Sequence, residues 1–346
     1  MPSAHKALFV LEDRPTPVPG AGQLLVKIYA AALNLVDTPI QQTGFVVHLY
    51  SFTAVPGSDG AGVVEAIDKD VEGWAKGDRV RAVMHGFWTA DRGTLQQYAI
   101  SDAIRTASRI PDDMSFEQAS TIPLALGTAS IGLYRARGIG LTPPWQGGTG
   151  KYTCQPILTL GGSSSVAIQL AKLFGFSPII TTASKSNEAY CRTAGATDVI
   201  DYHDVPCANL PAAVVKITSA PFKVIFAATA QEDCQRAGWS ILAPGGDMVV
   251  TLPPLVGKSG KRSEADSRRR IVFMNGNINM PPTQDFGTAM YKALPKGAIK
   301  ADIHLKKSLP NDIKICGYNL AGAFTGLESL AGGVSATKLV VLPHGT

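Results

Sequence analysis

Residues 157–176 read ILTLGGSSSVAIQLAKLFGF, and the reading of this stretch decides the fold. Ile157 to Leu160 is a short, wholly apolar run, as a strand covered on both faces requires. Gly161 and Gly162 follow as a turn. The next residues, rich in Ala, Leu, Ile, Gln and Lys, have the propensity and spacing of a helix over 164–174. Strand, glycine turn and helix in this order open a dinucleotide-binding unit, although the usual G-x-G-x-x-G spacing is absent.

Outward from this stretch the pattern repeats. SPIITTAS (177–184), DVIDY (198–202), KVIFAAT (223–229) and GGDMVVTL (245–252) read as strands, with helices expected over 186–194 and 231–242. Such alternation specifies a parallel sheet with helices on both faces. The region before residue 110 is different. QLLVKIYAAAL (23–33), GAGVVEAID (60–68), DRVRAVMH (78–85) and GTLQQYAI (93–100) are short runs punctuated by Gly, Pro and Asp, as in a small barrel or sandwich. Between the two regions, Ser115 with Gln118 three residues later forms a capping box ahead of a helical stretch broken at Pro123. A helix near 286–294 and a strand in SATKLVVLP (335–343) are expected in the tail.

Composition limits the function classes. The 346 residues are 45% hydrophobic and 17% charged, enough for one large or two medium domains. No apolar run reaches the roughly 18 residues of a membrane span, and the N-terminus has no signal-peptide pattern, so a cytoplasmic protein is expected. Net charge is +5, and the basic stretch KSGKRSEADSRRR (258–270) holds two acids and no aromatics. It is expected to be a solvated loop, with neither nucleic acid nor membrane as partner. Five scattered cysteines without zinc or disulfide spacing predict reduced thiols.

Several phrases, taken together and in order, resemble the zinc-independent medium-chain dehydrogenase/reductase family, in particular its quinone-reductase-like and fungal trans-acting enoyl-reductase-like branch. They are ALNLVD (32–37), PGSDGAGVVEAI (56–67), GDRV (77–80), QQYA (96–99), IPDDMSFEQASTIPLALGTASIGLY (110–134), AGATDVIDY (194–202) and VSATKLVV (334–341). The resemblance spans essentially the whole chain. It implies an α/β protein with a GroES-like β-barrel domain (1–125 and 275–346) and an inserted Rossmann domain, a doubly wound parallel sheet, over 126–274. The implied activity is NADPH-dependent reduction of an activated C=C bond in an enone, quinone or enoyl thioester, in fungal secondary metabolism. The substrate would be small or carrier-bound, and the protein a monomer or homodimer.

Site residues follow in part from chemistry and in part from the resemblance. No metal site is expected, because Gly57-Ser58-Asp59 stands where zinc-dependent relatives carry Gly-His-Glu, and Asp37 lies near the place of a ligating Cys. At the glycine turn the chain is four residues shorter than its relatives, close to one helical turn, so the helix keeps its apolar face. Gly161, Gly162, Ser163, Ser164, Ser165 and Val166 remain to hold phosphate, more weakly without the third glycine, where Ala167 stands; a purely structural turn is the alternative. At the end of the second strand of this unit, Ser184, Lys185, Ser186 and Asn187 offer a cation and hydroxyls without an acid, which suits the 2′-phosphate of NADPH. The resemblance adds Tyr202, Thr251, Leu252, Val334 and Ser335 toward the coenzyme. Toward substrate it adds Val36, Asp37, Thr128, Phe273, Met274, Asn275, Gly276 and Asn277. Tyr50, Thr128 and Tyr134 are candidate catalytic donors, with a core role the alternative for both tyrosines. Thr38-Pro39 replaces the relatives' Trp-Lys, and Ala227/Ala228 stands where they tend to carry Asp. These departures motivate a second reading, a cofactor-poor pseudoenzyme or a non-redox cyclase or binding scaffold on the same fold.

Overall fold

The computed structural model describes residues 11–44, 54–83, 90–161, 165–229, 231–257, 259–260, 262, 267–274, 276–293, 312–334 and 337–345. They divide into two compact units, one of residues up to 124 with 277–293 and 312–345, the other of residues 125–276. Six residues singled out in the sequence, Tyr50, Gly162, Ser163, Ser164, Asn275 and Ser335, lie outside the described residues.

In the first unit the strands are β1 (Gln23–Ala32), β2 (Asp59–Ile67), β3 (Arg79–Val83), β4 (Tyr98–Asp102), β5 (Ala107–Arg109), β12 (Asp312–Gly317) and β13 (Thr337–Val341). They form one sheet in the order β12-β13-β1-β2-β3-β5, with β4 also paired to β1. Strand β1 shows how sequence becomes shape. Leu24, Val26 and Ile28 alternate into the core, then a bulge between Ile28 and Ala30 shifts the register against β2. Because side chains alternate with period two, the extra residue exchanges the faces, and Ala31 and Leu33 now point into the same core. Ala30 and Ala32 pack instead with Val340 and Leu342 on the other side. Helices α1 (Asp37–Thr43), α2 (Phe116–Ser120), α8 (Gln284–Ala293) and α9 (Gly322–Ala331) accompany this sheet. The Ser115–Gln118 capping box forms as expected at the start of α2.

The second unit opens within α3 (Pro123–Tyr134) and carries the parallel sheet. Its strands are β6 (Ile157–Leu160), β7 (Ile179–Ala183), β8 (Asp198–Asp201), β9 (Phe222–Ala227), β10 (Leu242–Val250) and β11 (Arg270–Phe273), in the order β11-β10-β9-β6-β7-β8. This is the doubly wound order, and it reverses between β6 and β9, where such sheets leave a crevice at the carboxyl ends of their strands. The helices are α4 (Ser165–Phe174), α5 (Glu188–Ala194), α6 (Leu210–Ile217) and α7 (Glu232–Ile241). In α4, Ala167, Ile168, Leu170, Ala171, Leu173 and Phe174 are all buried. The apolar face expected of this helix is therefore formed.

Two expectations change. The stretch 258–270 is not simply a solvated loop: Arg262 and Arg270 clamp the buried carboxylate of Asp247 from both sides, at 2.6 and 2.7 Å, and Arg269 stacks over Trp239 at 4.7 Å. A guanidinium fits a carboxylate as a planar fork, so arginines in a basic run can be structural. The five cysteines are not all thiols either. Cys207 and Cys234 form a disulfide, with their Cα atoms 5.0 Å apart, while Cys154, Cys191 and Cys316 are free. A separation of 27 residues gave no spacing signal, because the packing of α7 on the start of α6 brings the pair together.

Candidate functional site

In the second unit the turn after β6 is built for close backbone approach. Gly161 has φ +97°, and a Cβ there would stand 3.0 Å from the carbonyl oxygen of Ala228. Its N–H donates to Thr182 Oγ1 at 3.1 Å, and the Ala228 N–H donates to the Leu160 carbonyl at 2.9 Å. Only glycine fits this backbone and this gap. Ser165 begins α4 with a buried side chain, while Val166 is half-buried. Thus α4 begins directly after the turn, as a phosphate-facing helix N-terminus would, with Ser165 buried at its start.

At the end of β7 the four expected residues form a local network. The Ser184 hydroxyl lies 3.0 Å from Ser186 Oγ and accepts from Asn187 Nδ2 at 2.9 Å. Lys185 is not a free cation. Its ammonium pairs with Glu188 at 2.5 Å, and Glu188 also takes Arg192 at 2.9 Å. Hydrogen bonding to Glu188 holds the Lys185 amine above its ordinary range, and the same contact lowers the Glu188 carboxyl. An acid does lie nearby, at the end of β8. However, Asp201 accepts the Lys185 and His203 backbone N–H groups, at 2.9 and 2.8 Å, one on each oxygen. Tyr202 is exposed and leans on the His203 ring at 4.5 Å.

Thr251 and Leu252 are half-buried just beyond β10, and Thr251 donates its N–H to the Ala227 carbonyl at 3.2 Å. Thr128 and Gly276 meet, since a Cβ on Gly276 would overlap the Thr128 hydroxyl. Met274 continues the sheet through its N–H to Val250, and Phe273 is exposed. Tyr134 is 5% exposed, packed edge-on to Trp145 and Phe174, and burial pushes its phenol well above the usual range. A phenol so placed packs within the core of the second unit.

The first unit holds a feature that sequence reading missed. Asp37 and Asp59 are fully buried together, with Lys338 and Asn34 between them. The Lys338 ammonium lies 3.2 Å from Asp59 Oδ2 and also donates to Asn34 Oδ1. Asn34 Nδ2 donates to Asp59 Oδ2 at 3.0 Å, its backbone N–H donates to Asp37 Oδ2 at 2.7 Å, and the Leu124 N–H donates to Asp59 Oδ1 at 2.7 Å. Burial raises both carboxyls, Asp37 to about 7, against the lowering effect of these donors and of Lys338. The available signal was a lone lysine in the apolar strand TKLVV. Of the other substrate-side residues in this unit, Val36 is half-buried at the start of α1, and Asn277 is buried and accepts the Asn279 N–H at 2.8 Å; Val334, expected toward the coenzyme, is exposed.

These contacts bear on metal binding. Asp59 has its oxygens committed to an ammonium, an amide and a backbone N–H, and Ser58 replaces the imidazole of zinc-dependent relatives. Among the described residues no group of three or more His, Cys, Asp or Glu side chains is gathered as metal ligands. The donor set does not fit catalytic zinc, which needs three protein ligands.

Comparison with known proteins agrees with this architecture. Residues 20–112 match the alcohol dehydrogenase GroES-like domain, and residues 164–280 match the family described as zinc-binding dehydrogenase. The trans-enoyl reductase grgB of a Penicillium species is 34% identical over 205 residues, covering 57% of this chain and 54% of that protein. The dehydrogenase orsE of Emericella nidulans is 30% identical over 347 residues, covering 95% of this chain and 94% of that protein. An alcohol dehydrogenase superfamily protein of Novosphingobium aromaticivorans has the same fold, with a TM-score of 0.75 at 24% identity over 97% of this chain and 96% of its own. The matched part of this chain spans little more than half the length of several curated relatives. The chain belongs to the medium-chain dehydrogenase/reductase family. Its described residues include no helix long and apolar enough to cross a membrane.

Proposed function

We propose that this chain is an NADPH-dependent, zinc-free reductase of an activated C=C bond, in an enone, quinone or enoyl thioester. The observation that carries the coenzyme reading is Gly161, held at φ +97° against Ala228 at the switch point of the parallel sheet. The first glycine of a dinucleotide-binding turn is needed for such a tight turn from strand into helix. The substrate class rests on the trans-enoyl reductase relative. A bound nicotinamide coenzyme would supply the hydride.

The chain's own residues supply placement and charge. Gly161 and the N-terminus of α4 would face the pyrophosphate, and Thr251 and Leu252 lie just beyond β10, two strands away in the same sheet. Ser184, Ser186, Asn187 and Lys185 would take the 2′-phosphate. Asp201, at the end of β8, already accepts one backbone N–H on each oxygen, which ties it to this segment. The Thr128 hydroxyl is the candidate donor to the carbonyl oxygen of the substrate, where negative charge develops as the double bond is reduced.

Titration of the purified chain with NADPH and NADH, followed by nicotinamide fluorescence, tests the reading. NADPH is expected to bind more tightly by more than about tenfold. Equal affinities would overturn the preference. Binding of neither coenzyme would favour the cofactor-poor scaffold. NADPH consumption with an enone, a quinone and an enoyl thioester then separates the substrate classes.

A further inference from the structure

We propose that Cys207 and Cys234 are a thiol/disulfide couple through which the redox state of the surroundings sets the rigidity, and hence the coenzyme affinity, of the carboxyl-end rim of the parallel sheet. The affinity half of this inference rests on the coenzyme reading above. The rigidity half does not.

The connection runs through neighbouring residues. Cys234 lies in the first turn of α7, and the disulfide ties it to Cys207, just ahead of α6. The next residue, Gln235, is fully buried and spans two loops: its Nε2 donates to the Thr229 carbonyl at 3.2 Å, and its Oε1 accepts the Leu255 N–H at 2.9 Å. Thr229 belongs to the loop after β9, whose Ala228 closes on Gly161. Leu255 belongs to the loop after β10 that begins with Thr251 and Leu252. Fixing the start of α7 therefore fixes the loop beside the glycine turn and, next to it, the loop after β10. Further along α7, a Cβ on Gly238 would stand 2.9 Å from Leu160 Cδ1, so the helix also sits close on the strand that carries the turn.

The two sulfurs differ in access, which decides the one an outside thiol or disulfide reaches first. Cys207 is half-exposed among exposed neighbours, whereas Cys234 is 8% exposed. With a small disulfide such as oxidised glutathione as oxidant, the Cys207 thiolate attacks one sulfur, that S–S bond breaks, and one small thiolate leaves. Cys234 thiolate then attacks Cys207 of the mixed disulfide and displaces the second. The two protein thiols are oxidised, the small disulfide is reduced to two thiols, and the two protons released by the protein pass to them. Excess reduced glutathione reverses both steps.

The test uses the whole chain equilibrated across a series of reduced-to-oxidised glutathione ratios. Alkylation and intact mass should show two thiols appearing together, with peptide mapping placing them at Cys207 and Cys234. Hydrogen exchange over 228–236 and 251–256 should be slower in the oxidised form, and NADPH should bind it more than about threefold more tightly, because less ordering remains to be done on binding. A Cys207→Ser/Cys234→Ser protein should exchange like the reduced form at every ratio. Equal exchange in the two forms of the natural protein overturns the proposal, as does failure of the pair to interconvert. If NADPH binds neither form, the coenzyme reading fails, and the exchange data still decide the rigidity half.

Discussion

Lys338 and Asp59, 279 residues apart in sequence, meet 3.2 Å apart inside the first unit. β13 carries the ammonium beside β1, and β2 carries the carboxylate on the other side of the same strand. The ammonium's charge acts on two fully buried carboxyls, Asp37 and Asp59. Lys338→Met should therefore destabilise the protein by about 3 kcal/mol or more, since removing one partner strands buried charge. The loss should be larger at pH 8 than at pH 5, where the carboxyls can take up protons instead. Urea denaturation at both pH values measures it, and an equal loss at the two would contradict the electrostatic account.

Asp37 gives the cluster a pH signature. Its carboxyl is raised by burial from 3.8 to about 7, and the groups facing it are the Asn34 and Gly57 backbone, Lys338 and Asp59. Between those two values the folded protein keeps a proton that the unfolded chain has lost. Stability should therefore fall as pH rises from about 4 to about 7 and level off above, with Asp59 shifted in the same direction. The full shift corresponds to about 4 kcal/mol as an upper figure. Asp37→Asn mimics the protonated carboxyl and should flatten much of this slope, making the variant the more stable protein at pH 8. Denaturant midpoints across the range check both slope and crossover.

Much of this fold was legible because its signals are local. Apolar runs of four to six residues marked β6, β7 and β9, and the capping box marked α2. The elements that escaped notice have blurred signals. α6 is apolar with paired β-branched residues, Val214 and Val215, and β11 opens on arginine because Arg270 is needed by Asp247. β4 starts at Tyr98, later than the alternation from 93 suggests, since Thr94 and Gln96 are buried ahead of the strand. The site divides in the same way. Gly161 and the 184–187 segment could be read from neighbours in sequence, whereas the Lys338–Asp59 and Cys207–Cys234 pairs exist only once sheets and crossovers have been made.

Gly161→Ala should separate a structural turn from a binding turn. The substitution forces alanine to φ near +97° and brings its methyl to 3.0 Å from the Ala228 oxygen. A cost of about 1–2 kcal/mol in stability is expected from strain alone. If the turn also receives the coenzyme, NADPH affinity should fall by more than about tenfold in protein that remains folded by circular dichroism. A stability loss with unchanged affinity would assign the turn a structural role only.

The pair of Lys185 and Glu188 sets the last prediction. If NADPH binds as proposed, its 2′-phosphate would have to draw Lys185 away from a carboxylate 2.5 Å distant, with Arg192 left to hold Glu188. Lys185→Ala should therefore weaken NADPH several-fold and leave NADH unchanged, narrowing the gap between them. Glu188→Gln acts in the opposite direction. It releases the ammonium without removing it, and Arg192 keeps its bond to the Thr197 carbonyl. NADPH should then bind more tightly than to the natural protein, again with NADH unaffected. Lys185 and Arg192 are exposed and Glu188 is half-buried, so both effects should shrink as salt is raised from about 0.05 to about 0.5 M, where screening shortens the reach of charge. Titration of the three proteins with both coenzymes at low and high salt is decisive. If Glu188→Gln weakens NADPH, the carboxylate holds Lys185 ready for the phosphate instead of competing with it, and the role assigned to Glu188 is wrong.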